Sequence, residues 1–453
     1  MAVGCGQGGN EPADSSTPDS SEATQSTTTA DTTTSTTTQD GVTSGTVSET
    51  TTMAGTTANT STGATEKTTK PAETTSRKVT TTMTTIADKV DSLLDYSKYT
   101  LEAYTQPVWK GNTMYNEIVM FYPNGQTKAV DPAPLLYTPK KVVSVRSYDL
   151  KTEYVEGVDY TVKDGCIALT PNSRIKAWAY DDYYLKVPGA SPAGGLPCIS
   201  VPGRYFVFGS GKDFAPYQVC VTYTHEGKWN GPVPTYQGHK LPKSSMKLAK
   251  KQTLNVVYYG DSITVGKEAS GVNKIAPNMP RWSDMVTAQL EELTGATINA
   301  TNTAKGGQTS QWGLENVEQN VNKYNPDLVV LAFGMNDGSR KYTTSVFKTN
   351  IEHIINKVRA KHPNCEFLLV ATQLPNPDES SRQGNQEAYA ACLQELATSK
   401  SGVAVANVTE VHKHLLTVKR YGDMTANNVN HPNDWLIRVQ GQIILQALWP
   451  EIG

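Results

Sequence analysis

The chemistry-bearing residues of this 453-residue chain gather in four short stretches of its second half. "VVYYGDSITVG" (256–266) runs strand-like and then ends in Gly260, Asp261 and Ser262. "NTAKGGQTS" (302–310), "GMND" (334–337) and "NNVNHPND" (427–434) come later, the last carrying His431. A serine hydroxyl at the end of a strand either serves a turn or reacts. To react it needs a base that works near neutral pH, a task that suits an imidazole.

The elements around these stretches favour reaction. From about residue 250 strands and helices alternate. "TLNVVYYG", "TINATNTA", "DLVVLAFG", "CEFLLVATQ" and "GVAVANV" read as strands. "PRWSDMVTAQLEELTG", "SQWGLENVEQNVNKY", "TTSVFKTNIEHIINKVRAKH", "NQEAYAACLQELATSK" and "NDWLIRVQGQIILQAL" read as helices. Such alternation predicts an α/β domain over 250–453, a three-layer αβα sandwich with a parallel sheet covered on both faces. Parallel sheets bind ligands at the carboxyl ends of their strands. Three of the polar stretches directly follow strands and the fourth precedes the last helix. Four such loops on one edge exceed what turns alone require.

Upstream the pattern changes. Residues 92–248 are rich in Tyr, Val, Thr and Trp, with frequent Gly, Pro, Asn and Asp breaks. Short strands at this spacing predict a β-sandwich of jelly-roll type. Its Trp109, Trp178 and Trp229 suit either sugar stacking or, the commoner case, core and edge packing. Residues 231–252 read as a Pro/Gly-rich and then Lys-rich connector. Residues 1–90 are Thr/Ser-rich without apolar periodicity, and burial cannot offset the entropy of ordering them. They read as a disordered tether of the cell-surface kind, with Cys5 placed as in the end of a bacterial lipoprotein signal. An extracellular or surface-tethered location follows as an expectation, with membrane contact only through lipid on Cys5.

A net charge of −2 supplies no large positive field for nucleic acid. Six cysteines exclude a disulfide-dense scaffold. Cys166, Cys198 and Cys220 suit one bridge, or equally buried thiols; Cys365 and Cys392 read as packing residues. No metal signature and no cofactor motif is found. His412 and His414, the H-x-H of "EVHKHLL", are expected on a surface helix turn, and His225, His239, His353 and His362 as structural or exposed.

The four stretches, in this order, resemble the blocks of the SGNH hydrolases, or GDSL esterases. The resemblance covers residues 253–453. It implies the flavodoxin-like fold of that family, Ser262 as nucleophile and His431 as base. It also implies an oxyanion hole from the Ser262 and Gly307 amides and the Asn336 side chain, with Gly306 the alternative to Gly307. Asp261 and Asp337 are expected to fix loops.

The sequence departs from the family at one position: Asn428, or Asn427 with a one-residue insertion, stands where an aspartate normally orients the base. A Ser-His dyad with a backbone acceptor near Asn428 is the favoured expectation, with Asp423 or Asp434 as alternative third members. The segment "KEASGVNKIAPNMP" (267–280) is expected to line the cleft. The expected activity is a serine esterase removing small acyl groups, most simply acetyl, from carbohydrate. The alternatives are a lipase, thioesterase or arylesterase, or a catalytically weak carbohydrate-binding surface protein.

Overall fold

The computed structural model describes residues 98–187, 198–201 and 203–452. The Thr-rich segment and Cys5 lie outside the described residues, as does the Cys198 side chain. Cys220, Cys365 and Cys392 are buried free thiols.

Strands β1 (Thr113–Met120), β2 (Pro139–Ser147) and β3 (Gln218–His225) pair antiparallel in the order β1-β3-β2, with the short strand Glu153–Tyr154 beside β2. Two three-stranded antiparallel sheets accompany them. One holds the hairpin Tyr160–Lys163 and Cys166–Leu169, turned by Asp164 and Gly165, both left-handed at φ 50° and 76°. Two consecutive positive φ values make the tight turn that matches strand twist. "IKAWAYDDYYLKV", which alternates like a strand, instead forms a helical turn, Tyr180–Tyr183, and a two-residue strand.

The second half forms a five-stranded parallel sheet. Its strands are β4 (Leu254–Gly260), β5 (Ile298–Asn302), β6 (Leu328–Ala332), β7 (Glu366–Ala371) and β8 (Val403–Asn407), in the order β5-β4-β6-β7-β8. Strand side chains alternate between faces, and here each face has its own core. Val256, Tyr258, Val330 and Leu368 join a cluster with helices α1 (Trp282–Thr294) and α4 (Asp434–Leu448). Val257, Tyr259, Leu331 and Phe367 join another with α2 (Thr344–Lys361) and α3 (Gln386–Ser399). The fold is therefore the α/β three-layer arrangement, preceded by antiparallel sheets. The expected helix over 310–324 is broken at Asn316 and Val321 into two short helices and a 3-10 turn.

Helix α4 is buried along its whole length. One side faces the parallel sheet, and the antiparallel region covers the other. Ile118, Val145 and Val219 share one apolar cluster with Trp435, Val439 and Ile443. Polar residues of α4 end on backbone of the first half. Arg438 donates to the Tyr115 carbonyl at 2.6 Å, and Gln442 bonds Val108 N–H at 3.1 Å and the Tyr104 carbonyl at 2.9 Å. Lys419 and Glu117 form an ion pair sealed from solvent, with Tyr223 and the Leu136 amide also donating to Glu117. The connector carries a helix, Pro242–Ala249, whose Lys243 and Ser244 amides donate to Glu366 at 3.0 and 2.7 Å.

Candidate active site

Strand β4 delivers the serine. A side chain on Gly260 would come within 2.3 Å of the Ala332 carbonyl, so only glycine lets β4 end this close to β6. Asp261 then caps the turn Ser262–Val265, accepting the Ile263 amide at 2.9 Å. Burial, with Asp337 nearby, raises the Asp261 carboxyl to about 7. Trp282 at the start of α1 donates to the Ile263 carbonyl at 3.1 Å and clamps the turn from below.

His431 arrives on a loop built around Asn427. The Asn427 carboxamide oxygen accepts the amides of Val429, Asn430 and His431 at 3.0, 3.0 and 2.9 Å. Thr425 and Ala426 both donate to the His431 carbonyl at 3.0 Å. The backbone on both sides of the imidazole is thereby fixed. Asn433 caps α4 through the Leu436 amide at 3.1 Å.

The two functional groups meet. Ser262 Oγ lies 2.8 Å from His431 Nε2. Behind the ring, His431 Nδ1 lies 3.2 Å from Glu268 Oε1. An ionised carboxylate only accepts, so Nδ1 carries the proton and Nε2 is left to accept from the serine hydroxyl. Burial pulls the Glu268 carboxyl upward, but the His431 hydrogen bond and charge, joined by the Gly211 amide, outweigh it. The net result holds Glu268 below the ordinary carboxylate range. Ser262, Glu268 and His431 are 4%, 4% and 9% exposed.

The expected orienting groups stand elsewhere, which corrects the dyad. Asn428, in the left-handed region at φ 66°, turns its side chain to the Tyr183 hydroxyl at 3.0 Å and the Val207 carbonyl at 3.1 Å. The Asn428 carbonyl is taken by Asn376 at 2.7 Å. Asp423 pairs with Arg420 and accepts the Met120 amide at 2.8 Å. Asp434 accepts the Ser270 amide at 3.0 Å and the Tyr148 hydroxyl at 2.9 Å, and burial raises it to about 6. Glu268 lies in the segment expected to line the cleft, but the sequence does not single it out. Its one signal was a carboxylate just behind the nucleophile turn, with no periodicity to say which way it points.

The second and third polar loops are tied together. Asp337 accepts the Ser310 amide at 3.0 Å and its hydroxyl, and Asn336 donates to the Gln308 carbonyl at 2.9 Å. That bond uses one amide proton of Asn336 and leaves the other. Gly306 approaches Ser262: a side chain there would sit 3.6 Å from the serine Cβ. Gly307 has φ +76° with open space around it, so its need for glycine is conformational.

Other candidates are placed differently. His412 is fully buried, contrary to the surface turn expected; it accepts the Leu374 amide at 3.0 Å, and burial lowers it to about 3. Trp109 and Trp178 are core residues. Trp229 is half-buried and sits edge-on to His414, ring centroids 4.6 Å apart. Among the described residues no group of three or more His, Cys, Asp or Glu side chains forms a metal cluster, and no helix is long and apolar enough to cross a membrane.

Residues 258–435 match the GDSL-like Lipase/Acylhydrolase family. The likeness to that family falls on the stretch that carries Ser262, Glu268, Asn336 and His431. An arylesterase from Vibrio mimicus is 24% identical over 125 residues, covering 28% of this chain and 58% of that protein. A two-domain esterase active on acetylated mannans, crystallised with mannopentaose, is 21% identical at a TM-score of 0.39, covering 48% of this chain and 54% of that one. An acetylxylan esterase from Geobacillus stearothermophilus is 14% identical at a TM-score of 0.37, covering 43% and 94%. The chain thus spans little more than half the length of the first two. The group that holds the second oxygen of Glu268, the Gly211 amide, precedes that stretch.

Proposed function

We propose that the protein is a serine esterase in which His431 takes the Ser262 proton as the hydroxyl attacks an ester carbonyl. The observation that carries this reading is the continuous Ser262–His431–Glu268 hydrogen-bonded chain. The imidazolium formed on attack faces a carboxylate, which stabilises it as a backbone carbonyl would not. The oxyanion receives the Ser262 amide, an amide of the Gly306–Gly307 turn and the remaining Asn336 proton. Collapse of the tetrahedral species expels the alcohol, protonated by His431, and water then releases the acyl group by the same route.

The substrate in this reading is a small acyl ester, acetyl first, on carbohydrate. A cleft of about 290 Å³ borders the His431 loop at Asn428, lined among others by Tyr122, Tyr183, Tyr184 and Asp378. Aromatic rings beside a carboxylate suit a neutral sugar. Lys419 and Arg420, which also line it, are neutralised by Glu117 and Asp423, so the cleft offers little to an anion. The Thr-rich segment and Cys5 support a surface-tethered location as part of the same proposal.

Hydrolysis of p-nitrophenyl acetate, butyrate and octanoate, with Ser262→Ala as control, tests the reading. Acetate is expected to be preferred and the control inactive. Turnover that survives Ser262→Ala would end the esterase assignment, and preference for octanoate would end the acetyl one.

A further inference from the structure

We infer that the antiparallel first half is part of the catalytic apparatus, with Gly211 acting as a positioning residue for the base through Glu268. The inference rests on the esterase reading above and goes beyond it. It assigns a role to a residue outside the stretch that matches the GDSL-like family.

The Glu268 carboxylate has two oxygens and two partners. Oε1 faces His431 Nδ1. Oε2 accepts the Gly211 amide at 2.7 Å, a length typical of a charge-assisted bond. Gly211 opens the turn Gly211–Phe214, and its capping box fixes that amide. Asp213 Oδ2 accepts the Ser210 amide and the Ser210 hydroxyl, both at 2.8 Å. Phe214, fully buried, anchors the turn in the cluster that also holds Met120, Trp178 and Val429 of the His431 loop. The same apolar cluster thus locates the donor to Glu268 and the loop that carries the base.

The site also explains why residue 211 is glycine. A Cβ there would stand 3.2 Å from Glu268 Oε2 and 3.3 Å from the Glu268 carbonyl. The backbone approaches the carboxylate closely because nothing projects from it. Within the parallel-sheet half, Glu268 follows a left-handed Gly266 on a polar loop. Gly211 is the contact that ties its second oxygen across to the other half of the chain. A carboxylate held at both oxygens presents Oε1 to His431 in one orientation, which keeps the imidazole in the tautomer that serves Ser262.

Gly211→Pro removes the amide proton while keeping a residue tolerated in the first turn of a helix. Gly211→Ala keeps the proton and adds the crowding methyl. Lys212→Ala, exposed on the same turn, is the control. Expected for p-nitrophenyl acetate is a fall in kcat of about tenfold in Gly211→Pro with KM within about twofold. The acid limb of kcat should move to higher pH, since Glu268 loses a donor to its charged form. Lys212→Ala should behave as wild type.

The deciding comparison is a double-mutant cycle. In a Glu268→Gln background the proline substitution should cost far less than it does alone, because its effect passes through that carboxylate. Equal losses in both backgrounds, or an unmoved pH profile, would overturn the inference. A proton NMR spectrum supplies a readout independent of turnover: Gly211→Pro should displace the His431 Nδ1–H resonance, which reports its hydrogen bond to Glu268, and no change would count against the proposal. Should Gly211→Pro not fold, Gly211→Ala goes through the same cycle and spectrum. Failure of wild-type activity to depend on Ser262 would instead remove the esterase reading itself.

Discussion

At the scale of single residues, the contested position is the partner of His431. Three polar residues near it in sequence, Asn428, Asp423 and Asp434, are all engaged elsewhere. Glu268, distant in sequence, faces the ring. The substitutions therefore separate. Asn428→Ala removes bonds to Tyr183 and Val207; it should lower the melting temperature while kcat per folded molecule stays within a few-fold. Glu268→Gln keeps the shape and loses the charge.

The shifted carboxyl also fixes a pH dependence. Because Glu268 is held below its unfolded value, its ionised form adds stability above that value. That stability is lost as pH falls through the lowered pKa. Melting curves from pH 3 to 6 should show a shallower decline for Glu268→Gln than for wild type; parallel curves would contradict the pairing.

At the scale of elements, the loops are positioned by caps rather than by covalent or metal staples. Asn427 supplies one oxygen to three successive amides, including that of His431. Asn427→Ala leaves buried N–H groups without acceptors, each costing about 1–3 kcal/mol. The variant should lose both stability and kcat, measured by denaturant melts and steady-state rates.

Much of this level was readable in advance. The five parallel strands and the helices between them declared themselves by apolar runs and helical spacing. What escaped was set by tertiary contact. "IKAWAYDDYYLKV" alternates like a strand, yet Tyr183 is drawn into the aromatic cluster beside the His431 loop. The helical period of 310–324 did not reveal the breaks at Asn316 and Val321. Glu268 lies in a segment expected only to line the cleft, and its place between His431 and the Gly211 amide is set by contacts far apart in sequence.

At the scale of the whole molecule, the antiparallel and parallel halves share one core and one set of buried polar contacts. Helix α4 has no solvent face to lose, and its Arg438 and Gln442 satisfy backbone of the other half. Lys419→Met would leave Glu117 charged and sealed from water; breaking such a pair costs about 3–5 kcal/mol. A chemical-denaturation midpoint within error of wild type would refute that coupling.

Asp434 adds an opposite pH dependence. Raised to about 6 in the fold, it favours the folded state most below its unfolded pKa, and that contribution disappears as pH rises through 6. Asp434→Asn should flatten the stability profile between pH 4 and 7.

The central claim is that Ser262, His431 and Glu268 act as one relay. Its most direct test is the kcat for p-nitrophenyl acetate of Glu268→Gln beside wild type and Ser262→Ala at pH 7.5. The relay predicts a loss of about a hundredfold or more, approaching the serine variant, with KM little changed. A Glu268→Gln enzyme as fast as wild type, while Ser262→Ala is inactive, would contradict it and return the mechanism to a Ser-His dyad.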